Sequence, residues 1–188
     1  MKRIIIHWTA GTHKPSATDK MHYHYIVDGI GNVVNGDMKP EDNLSTSTAY
    51  AAHTRGMNTG SIGVAFAAMH GAKERPFSAG KYPITDKQVK AMVRLVSDMC
   101  EKYGIPVTPQ AVLTHAEVQG TLGVTQRGKW DVNWLPGMDR VGLPSQTGDL
   151  LRQKVRDYRR KPPTSATNIG NANPWTAFIA AILRMFKK

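Results

Sequence analysis

Apolar runs alternate with polar, glycine-containing segments along this chain, and these runs predict its strands. Residues 4–6 open the first run, IIIHW, and an unbroken β-branched run is typical of a strand covered on both faces of a sheet. The segments HYHYIVD and NVVNG predict two more strands, joined by a hairpin turn at Gly29, Gly31 and Asn32. SIGVAFAAM, at 61–69, predicts a further buried strand. The first part of the chain therefore predicts a sheet.

Apolar residues at helical spacing follow these strands. Thr85 and Gln88 have the spacing of a capping box, which predicts the start of a helix. The next apolar residues fall on one helix face: Val89, Met92, Val93, Val96, Met99 and Cys100. The segment IPVTPQAVLTHAEV predicts a short strand that ends at His115, and a helix at about 147–159 closes the domain. Alternating strands and helices predict an α/β fold with a central mixed sheet flanked by helices.

The C-terminal part of the chain predicts a separate organisation. The sequence indicates a folded domain at 1–160, a linker at 161–174 with the composition KPPTSATNIGNANP, and a cationic amphipathic helix at 175–188. The apolar stripe of this helix is Trp175, Phe178, Ile179, Ile182 and Phe186. At about 21 Å it is too short for a hydrocarbon core of about 30 Å, so we expect it to lie on a membrane or to pack against the domain.

Charge and composition narrow the choice of partners and compartment. The net charge is +11, and residues 151–188 hold nine Lys or Arg against one acidic residue, which is +8 of that total. A basic tail on a nearly balanced domain favours an anionic membrane surface or outer-membrane lipid as a partner, and no nucleic-acid-binding motif is present. Cys100 is the single cysteine, which excludes an intrachain disulfide. The N-terminus has no signal-peptide pattern, so we expect the protein to be made in the cytoplasm. We also expect it to be a monomer.

Two histidines have positions that suggest chemistry. His7 and His115 each follow a predicted strand, so a rigid sheet can make their side chains converge although they are far apart in sequence. The glycine-rich segment after His115 adds Lys129 and Asp131. Zinc accepts histidine nitrogen and carboxylate oxygen, and a catalytic zinc keeps one position for water. Spacing alone leaves other ligand sets open, because the chain has seven histidines.

Five segments in a fixed order resemble the zinc-dependent N-acetylmuramoyl-L-alanine amidase family, which includes phage lysozymes of amidase type and peptidoglycan recognition proteins. They are IIIHWTAG, YHYIVDGIGNVVNG, AAHTRGMNTGSIGVAF, LTHAEV and GKWD, and they span roughly residues 1–140. The resemblance implies the amidase fold and a Zn²⁺ cofactor held by His7, His115 and Asp131. It also implies that Lys129 faces the reacting carbonyl.

Other positions of the resemblance carry further expectations. Tyr23 matches a tyrosine that relatives place beside the zinc-bound water, which implies a catalytic role, with packing on the sheet as the alternative. His53 matches a histidine that lines the cleft in several relatives, so it either contacts substrate or makes a hydrogen bond within its loop. Ala65 stands where some relatives have a glutamate, and the segment from His115 to Asp131 is longer than in compact relatives.

The remaining charged and imidazole side chains have structural interpretations. We expect His24 to be buried and hydrogen-bonded, and His13, His22 and His70 to lie at the surface. Arg55 is either a solvated arginine or a partner for a carboxylate of the peptide stem.

The resemblance implies an enzyme that cleaves the amide bond between N-acetylmuramic acid and L-alanine of peptidoglycan. It resembles a phage or prophage endolysin that waits in the host cytoplasm and then acts on the cell wall. The alternatives are a peptidoglycan-binding module of the same fold without activity, a secreted antibacterial amidase, and a membrane- or nucleic-acid-binding protein driven by the basic tail.

Overall fold

Five strands form one mixed sheet at the centre of residues 1–160, the part of the chain that the computed structural model describes. The strands are β1 (Arg3–Trp8), β2 (Tyr25–Val27), β3 (Val33–Asn35), β4 (Ser61–Phe66) and β5 (Val112–Thr114), in the order β3-β2-β4-β1-β5. All neighbours are parallel except β2 and β3, which form an antiparallel hairpin. The predicted mixed sheet is confirmed, whereas the predicted linker and amphipathic helix at 161–188 lie outside the described residues.

Four α-helices and one short 3₁₀ helix accompany this sheet within residues 1–160. They are α1 (Ala17–His22), the 3₁₀ helix Pro40–Leu44, α2 (Asp86–Tyr103), α3 (His115–Leu122) and α4 (Pro144–Arg160). The predicted capping box of α2 is confirmed, because the Gln88 N–H donates to Thr85 Oγ1 over 3.2 Å and the Thr85 N–H donates to Gln88 Oε1 over 3.0 Å. None of the described helices combines the length and the apolar character needed to cross a bilayer.

Several element boundaries differ from the sequence prediction. The strand predicted in HYHYIVD begins at Tyr25, because Ser16 and Asp19 cap a preceding helix, α1, whose C-terminal cap is Tyr23. The strand predicted at 61–69 ends at Phe66, although the residues that follow it remain buried. The closing helix begins at Pro144 and ends at Arg160, slightly longer than predicted.

The segment that follows the predicted strand at His115 is rich in glycine and was expected to be a loop, but its first part forms the helix α3. The Glu117 carboxylate accepts a hydrogen bond of 2.8 Å from the N–H of Thr114, which closes the first turn. Gly123 then adopts a left-handed conformation and ends the helix. His115 is therefore the first residue of α3, and the helix fixes the position of its main chain.

Side-chain alternation along β1 divides the core into two layers. Ile4, Ile6 and Trp8 belong to the larger apolar cluster, which also contains buried residues of α2 and α4. Ile5 packs on the other face with Leu113 and Val118. Because successive strand side chains point to opposite faces, His7 lies on the same face as Ile5, near the carboxyl end of β1.

A buried ion pair joins α4 to the start of α3. The Arg152 guanidinium contacts both carboxylate oxygens of Glu117, at 3.1 and 2.8 Å, and donates to the Val112 carbonyl over 2.8 Å. Both side chains are at most 3% exposed. A side chain at Gly148 would collide with the Glu117 carboxylate, so this glycine provides the close approach of the two helices. The pair fixes α4 against the strand and helix that present His115.

Candidate metal centre

The side chains of His7, His115 and Asp131 meet in a buried cluster at the carboxyl end of β1. His7 comes from β1, His115 begins α3, and Asp131 follows in the segment between α3 and α4. The Nδ1 atoms of both histidines lie 3.1 Å from Asp131 Oδ2. Each of the three residues is at most 7% exposed. The Asp131 carbonyl also accepts a 2.6 Å hydrogen bond from the N–H of Ala116, which ties this segment to the first turn of α3.

The donor set of this cluster fits a metal ion. One ligand atom from each residue lies within 4.8 Å of the other two, and the atoms are two imidazole nitrogens and one carboxylate oxygen. Three protein ligands of these types match a zinc site that keeps its fourth position open for water or substrate. The sequence prediction that these three side chains converge agrees with this geometry.

Burial and the mutual contacts of these groups set their protonation. Burial lowers the pKa of His7 to about 4, and the neighbouring charges of His115 and Lys129 act in the same direction, against the hydrogen bond to Asp131. Burial raises the pKa of Asp131, but its hydrogen bonds with His115 and His7 outweigh burial, so that the pKa falls to about 2. At neutral pH, His7 is a neutral donor and Asp131 is a carboxylate, as metal ligands must be.

The two residues assigned catalytic roles by resemblance lie beside this cluster. The Tyr23 ring is partly buried, and its centroid lies 5.2 Å from that of the His7 ring. Burial, the charge of Asp131 and the charge of Asp19 raise the pKa of Tyr23, so its phenol keeps its proton. Lys129 is exposed, and its positive charge reaches His7, whose pKa it helps to lower.

His53 lies behind His7, where it is 8% exposed. Its Nδ1 atom is 2.8 Å from Thr54 Oγ1 and 3.3 Å from His7 Nε2, and its Nε2–H points to the Ser61 carbonyl at 3.4 Å. Burial lowers its pKa well below the ordinary value, and the charges of His7 and His24 act in the same direction. The structure thus contains the hydrogen bonds of one predicted alternative, and substrate contact by His53 stays a prediction.

Two buried polar residues that contact the cluster were not identified from the sequence. Gln126 Oε1 lies 2.9 Å from His115 Nε2, and Thr54 Oγ1 lies 3.3 Å from His7 Nε2. Neither residue belongs to a sequence pattern that predicts its position, because both reach the histidines through the folding of irregular segments. Ala65, the residue that stands where some relatives have a glutamate, is fully buried and pairs with His7 in the ladder between β1 and β4.

The other histidines and Arg55 lie away from the three ligand atoms. The prediction for His24 is confirmed, since the residue is buried, contacts Asn43 Oδ1 at 3.1 Å and accepts from the Gly63 N–H at 2.9 Å. His22, His70 and Arg55 are exposed. The surface prediction for His13 is only partly right, because its ring is partly buried and donates to the Pro83 carbonyl over 2.8 Å.

Comparisons with known proteins place this geometry in a family. The family model for N-acetylmuramoyl-L-alanine amidase matches residues 1–134. Among solved structures, the chain is similar to the amidase AmiD from E. coli in complex with the substrate anhydro-N-acetylmuramic acid-L-Ala-D-gamma-Glu-L-Lys. The two are 20% identical with a TM-score of 0.51, and the alignment covers 98% of this chain and 70% of that chain.

Two further similarities are more distant. The N-acetylmuramoyl-L-alanine amidase LysC from Clostridium intestinale URNW is 16% identical with a TM-score of 0.47, over 79% of this chain and 83% of that chain. The bumblebee peptidoglycan recognition protein PGRP-SA is 20% identical with a TM-score of 0.43, over 65% of this chain and 74% of that chain. No curated protein sequence matches the chain.

The predicted fold class is confirmed by the mixed sheet and by the similarity to the AmiD structure. The family match begins at residue 1 and extends beyond Asp131, so it includes all three converging side chains. It covers well over half of the sequence. The chain therefore belongs to the N-acetylmuramoyl-L-alanine amidase family.

Proposed function

We propose that this protein is a zinc-dependent peptidoglycan hydrolase that cleaves the amide bond between N-acetylmuramic acid and the L-alanine of the peptide stem. The observation that carries the proposal is the convergence of His7 Nδ1, His115 Nδ1 and Asp131 Oδ2 in a chain of this family. These residues would hold Zn²⁺ as three protein ligands. When bound, zinc polarises an amide carbonyl and lowers the pKa of a bound water to about 7.

Lys129 supplies positive charge beside this cluster. Hydrolysis of an amide places negative charge on the carbonyl oxygen in the transition state, and a fixed cation stabilises that charge more than it stabilises the neutral substrate. Lys129 is exposed and therefore accessible to a substrate, while its charge acts on His7. We assign it the role of stabilising the developing oxyanion.

Tyr23 supplies a protonated phenol on another side of the cluster. Its raised pKa keeps the Oη proton in place at neutral pH, so the phenol donates a hydrogen bond and does not act as an anion. A group that holds its proton here can orient the attacking water or assist departure of the amine. The strand beside His7 offers no carboxylate for this work, because its partner in the ladder is Ala65.

A complete ligand set distinguishes the proposed enzyme from a binding module of the same fold. A protein that only recognises peptidoglycan has no need of three converging, buried side chains of metal-ligand type. In this chain both histidines and the aspartate are present and in contact. The charge and burial of the cluster therefore favour catalysis over recognition alone.

The biological role that best accommodates the rest of the chain is that of a phage or prophage endolysin that acts on the cell wall as a monomer. The support is the charge distribution, since the +8 of residues 151–188 suits an anionic membrane or outer-membrane lipid surface. We propose that residues 175–188 lie on that surface and raise the local concentration of the catalytic domain near peptidoglycan.

Zinc analysis of one ligand variant tests the proposed centre. The full-length protein should contain about one zinc per chain, and Asp131→Ala should lose both zinc and hydrolysis of purified peptidoglycan, because a three-ligand site becomes a two-ligand site. Asp139→Ala is the matched control, since Asp139 is an exposed aspartate in the same segment. An Asp131→Ala protein that kept its zinc and its rate would show that the third ligand is assigned wrongly.

A further inference from the structure

Gln126 is a buried side chain that contacts a proposed zinc ligand from behind. It is 5% exposed, and its Oε1 atom lies 2.9 Å from His115 Nε2, the ring nitrogen opposite the one that faces Asp131. The residue lies in the segment between α3 and Asp131. Its position is fixed at the main chain too, because its N–H donates to Gln119 Oε1 over 2.9 Å.

The neighbours of Gln126 determine which way its amide points. Its Nε2 atom donates to two main-chain carbonyls, those of Arg55 at 3.0 Å and Val124 at 3.2 Å. Carbonyl oxygens only accept hydrogen bonds, so the amide nitrogen must face them and the amide oxygen must face His115. A reversed amide would set its oxygen against two carbonyl oxygens and lose both of these hydrogen bonds.

This orientation decides where the proton of a neutral His115 ring resides. An amide oxygen accepts and never donates, so His115 Nε2 must carry the hydrogen and Nδ1 must carry the lone pair. We propose that Gln126 is a positioning residue that holds His115 in the Nε2–H tautomer and so presents Nδ1 to the metal. The proposal rests on the zinc site proposed above, and it adds a residue outside the ligand set.

An independent chain of hydrogen bonds gives His7 the same tautomer. The Ser61 carbonyl accepts from His53 Nε2–H, which leaves His53 Nδ1 as an acceptor for the Thr54 hydroxyl at 2.8 Å. Because the Thr54 hydroxyl gives its single proton to His53 Nδ1, its oxygen, 3.3 Å from His7 Nε2, is left to accept a hydrogen bond from that nitrogen. Each histidine is thus linked through intermediate side chains to a main-chain carbonyl, and in this tautomer its Nδ1 lone pair faces Asp131 Oδ2 at 3.1 Å.

Gln126 matters because Asp131 favours the other tautomer. In the absence of metal, the Asp131 carboxylate lies 3.1 Å from His115 Nδ1 and stabilises a proton there. Gln126 opposes this by offering an acceptor at Nε2. If Gln126 is replaced by an apolar residue, the Nδ1–H form gains, and zinc must then displace that proton before it binds.

The first measurement is the tautomer of His115 in the zinc-free, full-length protein. Long-range ¹H–¹⁵N correlation distinguishes the two ring nitrogens at about pH 9, well above the ordinary imidazole pKa of about 6.5. The His115 signals are assigned by their loss in His115→Gln. We expect a protonated Nε2 and a bare Nδ1, and a protonated Nδ1 with a bare Nε2 would overturn the proposal without the use of any Gln126 variant.

The second measurement is zinc affinity by competition with a chelator, for Gln126→Met and Gln119→Met. Gln126→Met keeps side-chain length and removes the acceptor, so we expect zinc affinity to fall by about 10- to 100-fold, the usual effect of losing such a contact to a ligand. The His115 signals should shift toward the Nδ1–H form. Gln119→Met removes only the hydrogen bond to the main chain of Gln126 and should stay within about twofold of the parent.

These outcomes separate the inference from the proposed function. A folded Gln126→Met protein that kept the parent tautomer and affinity would overturn the inference, as would equal losses in both variants, which would indicate anchoring of the segment only. A parent protein that bound no zinc would overturn the proposed function, while the tautomer of His115 in that protein would still be measured.

Discussion

Removing the buried carboxylate of Glu117 tests how the fold supports the candidate site. In Glu117→Leu, the Arg152 guanidinium loses both contacts of its bidentate pair and keeps the Val112 carbonyl and Asp149, whose side chain is 67% exposed. The Thr114 N–H also loses its acceptor. The variant thus leaves a buried cation and a buried main-chain donor without their carboxylate.

The size of the loss follows from burial. Breaking one side of a buried ion pair typically costs about 3–5 kcal/mol, because the remaining charge stays desolvated. The retained contact with the mostly solvated Asp149 offsets part of this, so we expect the free energy of unfolding to fall by about 3 kcal/mol. With a slope of about 2 kcal/mol per molar urea, the midpoint should fall by about 1.5 M.

Urea unfolding of the zinc-free, full-length protein, followed by circular dichroism, measures this loss without a contribution from zinc binding. Asp149→Ala is the control, since it removes only the exposed partner and should cost about 1 kcal/mol or less. The double variant Glu117→Leu/Arg152→Met should recover most of the stability, because it leaves no unpaired charge. If Glu117→Leu cost as little as Asp149→Ala, the reasoning about the buried pair would be refuted.

Three further predictions concern the site and the basic tail. Lys129→Ala and Tyr23→Phe should keep their zinc and lose about 10²- to 10³-fold in turnover on purified peptidoglycan, and normal turnover in either variant would remove that residue from the mechanism. In zinc-free protein the pKa of His7 is about 4, below the ordinary 6.5, so the unfolded chain binds more protons than the folded one between these values. The free energy of unfolding should therefore fall as the pH drops from 6.5 toward 4. Urea midpoints that stay constant across this window would contradict the burial of a neutral His7. A protein that ends at Lys161 lacks residues 175–188 and should still digest purified peptidoglycan at nearly the parent rate, but it should bind anionic vesicles less well than the full chain. Equal vesicle binding by the two proteins would exclude the membrane role.

The parts of the fold that the sequence predicts well are those encoded by local patterns. The β-branched run at 4–6 predicts the buried strand β1, and the capping box of Thr85 and Gln88 with its apolar stripe predicts α2. By contrast, α3 was not predicted, because it is short, contains Gly120 and ends at Gly123, which made the segment look like a glycine-rich loop. Its start does carry a local signal, because Thr114 and Glu117 have capping-box spacing, but Arg152, the partner that fixes Glu117, lies 35 residues away in sequence.

In the candidate site too, local sequence patterns predict some features, whereas contacts between distant segments are not predicted. The convergence of His7 and His115 follows from parallel strands that end at one edge of a sheet, and the sequence predicts both strands. The contacts of Gln126 with His115 and with the Arg55 carbonyl depend on how two irregular segments fold against each other. Such contacts have no periodicity or spacing rule, so they are visible only in the structure.

Mass spectrometry of purified peptidoglycan, digested by the full-length protein with and without a chelator, identifies the cleaved bond and the need for zinc in one experiment. We expect peptide stems that begin with a free L-alanine amine and glycan strands that retain intact muramic acid lactyl groups. Digestion should stop when zinc is chelated and resume when zinc is added back. Cleavage at another bond, or the same products at the same rate in the presence of chelator, would contradict the assignment of this protein as a zinc-dependent amidase.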